Sequence, residues 1–176
     1  MKNTIRKEVK NIRSALSDAE VSRLSRMICF RLANSFYLYD KTIALYYPIN
    51  NEVDVMYLKK YSFDSLCLPL VENDEIVFKL WKSGDIMSVS SHHILEPLPT
   101  TPTVMPDIAI VPLLAFDDNC YRIGYGGGFY DKFLEYFDGI SIGVAFEVQK
   151  VRKIKAEAHD IPLDYIVTES KVYEYR

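Results

Sequence analysis

Residues 107–134, DIAIVPLLAFDDNCYRIGYGGGFYDKFL, carry the pattern that decides the fold. The run at 107–112 is nearly continuous in apolar residues, as a strand covered on both faces requires. At the other end Phe129, Phe133 and Phe137 recur at helical spacing. Between them, four of the seven glycines (Gly124, Gly126, Gly127 and Gly128) fall within five positions. Glycine permits positive φ and lets backbone N–H groups approach a ligand closely. A glycine loop running straight into a helix presents amides and the positive dipole end to an anion. Arg122 and Asp131 flank the loop, so it reads as a phosphate cradle with a cationic clamp and a candidate metal ligand. A bare glycine triplet is equally a tight strand-to-helix turn; the two charged neighbours shift the balance toward a site.

Working outward, further strand patterns occur at 42–47, 65–71, 76–81, 140–145 and 164–168, with helical segments at 53–61 and 129–137. Two helices precede the first strand. In residues 2–16, Ile5, Val9, Ile12 and Leu16 form one face, while Lys2, Arg6, Lys10 and Arg13 line another. Ser17-Asp18-Ala19-Glu20 is a capping box that opens a helix to about Phe36, with Val21, Leu24, Ile28 and Leu32 inward. Strands alternating with helices indicate an α/β domain with a largely parallel or mixed sheet. Its 176 residues suit a single domain, 1–176, with a full core. The Ser/Thr/Pro/His-rich stretch 83–106 reads as a surface excursion.

Composition narrows the class. With 49% hydrophobic and 26% charged residues the chain is an ordinary folded protein, not a disordered one. Cys29, Cys67 and Cys120 lack metal spacing and are odd in number, which suits a reduced, cytoplasmic compartment. No apolar run reaches membrane-spanning length. The net charge of −3 conceals +5 over residues 1–31 and −8 over the rest. A basic arm of this kind serves a phosphorylated small molecule, nucleic acid or a membrane surface, or is a solvated helix face.

In open α/β sheets ligands gather at the carboxyl ends of strands. The loop 113–128 after the strand at 107–112, and residues 48–52 after the strand at 42–47, are therefore expected to border one crevice. The glycine loop is neither a Walker A motif, lacking Gly-Lys-Ser/Thr, nor a Rossmann fingerprint. Arg122 suits bidentate phosphate binding, with Lys2 and Arg6 adding charge. Asp131 and Asp164 are candidate Mg²⁺ ligands; a first-turn helix acid and a turn acid after Pro162 are the plainer readings. Glu52 suits an N–H-rich ring, or is an exposed acid opening the next helix. Of Tyr46 and Tyr47, at least one belongs to the core. His92 and His93 decorate a loop, and His159 has no partner pattern. No Cys or Ser lies in a nucleophile context.

These residues resemble the signature of the 5-formyltetrahydrofolate cyclo-ligase (5,10-methenyltetrahydrofolate synthetase) family. RIGYGGGFYDKFL preceded by PDIAIVPLLAFD carries the resemblance. Lys2–Arg6 as K-x-x-I-R with Arg13 beyond, YYPINNEVD at 46–54, Trp81 with Glu96-Pro97, AFEVQ at 145–149 and HDIPLDYIVTE at 159–169 extend it end to end. The resemblance implies a three-layer α/β/α fold and an ATP- and Mg²⁺-dependent closure of 5-formyltetrahydrofolate to 5,10-methenyltetrahydrofolate. ADP and phosphate are released through a phosphorylated formyl (imidate phosphate) intermediate. It further implies ATP contacts from Lys2, Arg6, Arg122, Gly124, Tyr125, Gly126, Gly127, Gly128, Phe129 and Tyr130, with Arg122 also catalytic. Folate contacts fall to Tyr47 and Glu52, and Mg²⁺ ligands to Asp131 and Asp164. Both reactive groups then belong to the substrates, which accounts for the missing protein nucleophile. Asn119-Cys120 and Leu114 depart from the family pattern and bear only on loop shape.

The implied partners are small molecules, ATP and 5-formyltetrahydrofolate, with a monomer the expected state. A non-catalytic nucleotide- or RNA-binding module on the same fold is the alternative, resting on the basic first helix alone. Acidic overall charge and the lack of basic–aromatic interleaving weigh against it. A sugar-phosphate or CoA-handling enzyme would need a catalytic Glu or Lys that the chain does not display.

Overall fold

The structure, a computed structural model, describes residues 2–61, 64–90 and 94–176; His92 and His93 lie outside them. Two helices open the chain, α1 (Lys2–Ser14) and α2 (Asp18–Ser35). The capping box forms as expected: the Glu20 amide donates to Ser17 Oγ at 3.3 Å, and the Ser17 amide donates to Glu20 Oε2 at 2.9 Å. Two of the orphan donors at the start of α2 are satisfied in this way. Strands β1 (Thr42–Ala44), β2 (Ser65–Glu72) and β3 (Glu75–Trp81) follow. The 53–61 segment is a 3-10 turn at Val55–Lys60, not an α-helix, and Asp54 caps it by accepting from the Met56 amide at 3.0 Å.

The excursion after Trp81 is more ordered than its composition suggests. It holds β4 (Met87–Val89), β5 (Leu95–Pro97) and β6 (Thr103–Val104). The quoted stretch then supplies β7 (Ile108–Pro112), a small hairpin of β8 (Ala115–Phe116) and β9 (Arg122–Ile123), and α3 (Phe129–Leu134). The chain ends with β10 (Ile140–Val144), β11 (Tyr165–Val167) and β12 (Val172–Glu174). Helix α3 is shorter than the Phe129–Phe137 periodicity predicts. Its end tightens, with the Tyr136 amide donating to Phe133 O, and Gly139 then passes directly against the Asp107 carbonyl.

The main sheet has eight strands in the order β12-β11-β10-β7-β1-β2-β3-β6. The five from β11 to β2 are parallel, and β12, β3 and β6 are antiparallel additions at the two sides. Side chains alternate across it. Ile43, Leu45, Ile108, Ile110, Ile142 and Val144 face α2 and the 3-10 turn, while Ala44, Ala109 and Val111 face α3. Helices thus cover both faces, the three-layer α/β/α arrangement. After β1 the chain builds toward β2; β7 and β10 build the other way. The order therefore reverses between β1 and β7, the place where such sheets open a crevice at their carboxyl ends.

Candidate active site

Both predicted loops do meet at this crevice. The glycine loop, arriving from β7 through the β8–β9 hairpin, sends the Tyr125 hydroxyl onto Glu52 Oε1 in the loop after β1. The residues whose positive φ matters are Gly126 at 107° and Gly128 at 70°. Both lie in the left-handed region that glycine occupies without strain. Gly128 then serves as the N-cap of α3. Gly126, Gly127 and Gly128 are exposed, and among the described residues their amides donate to no protein group.

Helix α1 lies across this loop on its basic side. Lys2, Arg6 and Arg13 are within roughly 40° of one another on a helical wheel, and all three reach inward. Arg6 Nε donates to Gly124 O at 2.9 Å, and a Cβ placed on Gly126 would lie 3.6 Å from the same guanidinium. The Lys2 ammonium bonds both oxygens of Asp160, at 2.6 and 2.9 Å, and lies 3.2 Å from Glu157. Burial alone would lower the Lys2 pKa, but the two acids outweigh it and raise it. Arg13 is 1% exposed; its Nη2 donates to the Tyr125 hydroxyl at 2.6 Å and its Nη1 to Leu113 O at 3.4 Å. Inward rotation of this cationic face turns Ile12, expected in the core, to 47% exposure, while Lys10 stays in solvent.

Glu52 is 6% exposed. Burial raises its pKa; the Tyr125 bond, the Ile49 amide at 2.9 Å from Oε2 and the charge of Arg13 oppose that rise. Tyr46 is core, its hydroxyl donating to Val53 O at 2.8 Å, and Tyr47 is the exposed member of the pair. On the other flank Arg122 is buried, donating to Asp131 Oδ1 at 2.9 Å and to Ile161 O at 2.7 Å. Burial lowers its pKa, and the Asp131 carboxylate acts against that. Tyr130, one residue before Asp131, keeps its buried hydroxyl without a partner among the described residues; burial first, then the nearby Glu52 charge, push its pKa up.

Asp164 stands apart from this cluster. Its Oδ2 accepts from the Ser141 amide at 2.8 Å and from Ser141 Oγ at 2.7 Å, tying the amino ends of β10 and β11 together. Among the described residues it shares no ion pair with Arg122, and no group of three His, Cys, Asp or Glu gathers to hold a metal. His159 is exposed and 3.4 Å from Glu157. Two participants lie outside the site residues expected from the sequence. Asp160 carried no local signal, since its partner lies 158 positions away. Arg13 did carry one: it shares the helical face of Lys2 and Arg6.

Comparison with known proteins gives this geometry its context. The 5-formyltetrahydrofolate cyclo-ligase family model matches residues 1–169. The 5-formyltetrahydrofolate cyclo-ligase of Mycoplasma pneumoniae is 30% identical over 177 residues, covering 96% of this chain and 98% of that protein. That of Escherichia coli is 44% identical over a stretch of 72 residues, 39% of this chain and 40% of that protein. Among solved structures, the 5,10-methenyltetrahydrofolate synthetase of Aquifex aeolicus is similar with a TM-score of 0.84 at 34% identity, covering 99% of this chain and 93% of that one. By its sequence over nearly its whole length, and by its fold, the chain belongs to the 5-formyltetrahydrofolate cyclo-ligase family.

Proposed function

We propose that this chain closes 5-formyltetrahydrofolate to 5,10-methenyltetrahydrofolate at the expense of ATP, with Mg²⁺, releasing ADP and phosphate. The observation that carries this reading is the convergence at the β1–β7 switch point. Amides of the exposed glycine loop and the Arg6 guanidinium lie on one side, and the buried Glu52 carboxylate lies on the other, bridged by Tyr125. One side suits phosphate oxygens, and the other suits a ring edge rich in N–H donors.

In this reading Lys2, Arg6, Arg122 and the backbone of the loop Gly124–Tyr130 hold ATP, while Glu52 and Tyr47 hold the folate. The formyl oxygen attacks the γ-phosphate and expels ADP, giving an imidate phosphate. The neighbouring folate amine then closes on the activated carbon, and loss of its proton and of phosphate gives the methenyl product. The protein contributes orientation and charge complementarity, not a nucleophile.

Asp131 fits a Mg²⁺ carboxylate, since Arg122 engages only one of its oxygens and its side chain is partly exposed. Bound there with phosphate oxygens and waters, the ion would neutralise developing phosphate charge. The Asp164 carboxylate, engaged by Ser141, fits a strand-end cap better. The RNA-binding alternative rested on the basic first helix, and Lys2, Arg6 and Arg13 all turn inward.

The test is the purified chain with 5-formyltetrahydrofolate, Mg²⁺ and ATP, followed by ultraviolet absorbance of the methenyl product. Product is expected only when ATP is present. Binding of both ligands without ATP-dependent product would overturn the enzymatic reading.

A further inference from the structure

Among the described residues, Arg13 is one of the largest fully buried side chains, and it carries a charge. A buried guanidinium is costly unless partners compensate its lost hydration. Its partners are the Leu113 carbonyl and the Tyr125 hydroxyl, the latter at 2.6 Å, and its guanidinium carbon stands 5.7 Å from the Tyr125 ring centroid; among the described residues its Nε has none. Arg13 has no direct bond to Glu52.

The direction of the chain of bonds follows from donor counts. A guanidinium only donates, so the Tyr125 oxygen must accept from Arg13. The single hydroxyl proton is then left for Glu52 Oε1. The Ile49 amide donates to the other carboxylate oxygen. A carboxylate offers about four lone-pair sites, so each Glu52 oxygen keeps one for a ligand. A second tie runs the same way: Asn51 Nδ2 donates to the carbonyls of Leu16 at 3.0 Å and Arg13 at 3.4 Å, fastening the Glu52 loop to the end of α1.

We propose that Arg13 and Tyr125 are positioning residues for Glu52: the buried guanidinium, acting through the tyrosine hydroxyl, fixes the carboxylate so that both oxygens present a lone pair to paired N–H donors of the folate ring. The assignment rests on Glu52 being the folate-side acid. Tyr125 belongs to the glycine loop by sequence, yet its hydroxyl serves the folate side. A role confined to shaping the loop would affect ATP instead.

The experiment measures binding of 5-formyltetrahydrofolate and of ATP separately to the wild type, Tyr125→Phe, Glu52→Gln, the double variant and Arg13→Lys, each checked for a native melting transition. Tyr125→Phe is expected to weaken folate binding about tenfold, the loss of one hydrogen bond to a charged group, and to leave ATP binding within about twofold. In the Glu52→Gln background the same change should add less than about twofold, as coupling through one network requires. Arg13→Lys keeps the charge but loses the two-pronged fork, and should follow Tyr125→Phe in its folate effect. If Glu52→Gln weakens folate binding while Tyr125→Phe does not, or the two effects add independently, the positioning role is overturned and the reading of Glu52 stands. If Glu52→Gln leaves folate binding intact, both fall.

Discussion

At the scale of single residues, the site consists of charges held in places that would otherwise reject them. Arg122 is 8% exposed, and its buried fork stays cationic because Asp131 and the Ile161 carbonyl receive it. Replacing it by alanine would leave Asp131 without its counter-charge and, in the proposed reading, remove a phosphate partner. Arg122→Ala should therefore lower kcat/KM by about 100-fold or more, the usual scale for losing a preorganised charge at a reacting centre; the methenyl absorbance assay checks it. Asp131→Asn separates two roles for that acid. It should raise the Mg²⁺ concentration needed for half-maximal rate by about tenfold, whereas an unchanged Mg²⁺ titration would assign Asp131 to holding Arg122 alone. Arg122 and Asp131 were visible in the sequence because they bracket a glycine run at short range. Arg13 was visible as a charge but not as a buried one, because amphipathicity shows which residues share a face and not what that face meets.

At the scale of elements, α1 is the piece whose placement completes the site, and its first turn is tied down by Lys2 and Asp160. Burial alone would raise the Asp160 pKa, but its bond from Lys2 and the amide of Glu157 lower it below the ordinary 3.8. A depressed carboxylate pKa contributes stability that is present above the unfolded value and lost as pH falls through the folded one. Asp160→Asn should thus lower Tm by about 2 °C at neutral pH, and the difference from wild type should shrink as pH falls below the ordinary 3.8 in a pH series of thermal melts. Capping chemistry was legible at this scale, since Ser17 and Glu20 are three apart and satisfy each other locally. The β8–β9 hairpin, β6 and β12 were not. Those strands are two or three residues long and lack the longer apolar runs that mark β1 and β11; they form because partners arrive from elsewhere in the chain.

For the whole molecule, stability and chemistry are spatially separate. Leu32 in α2 is fully buried in the core cluster on the α2 face of the sheet, while the site lies at the carboxyl edge. Leu32→Ala should cost about 3 kcal/mol, a fall of about 10 °C in Tm for a chain of this size. Below the transition, kcat/KM should stay within about twofold of wild type; calorimetry and the absorbance assay together check this. Taken by itself, the sequence determined the inventory: parallel-strand runs, a capped α2, a glycine loop between Arg122 and Asp131, and an acid after the first strand. Each depends on neighbours a few positions away, which is the range over which backbone propensity, capping and periodicity act. Only the tertiary structure decided which charges meet. Lys2 with Asp160, Arg13 with Tyr125 and Tyr125 with Glu52 are 158, 112 and 73 positions apart. They meet because the strand order reverses between β1 and β7 and brings two loops and one helix to the same end of the sheet. Contacts at such separations are set by sheet order and by the desolvation of buried charge, neither of which is local to any segment.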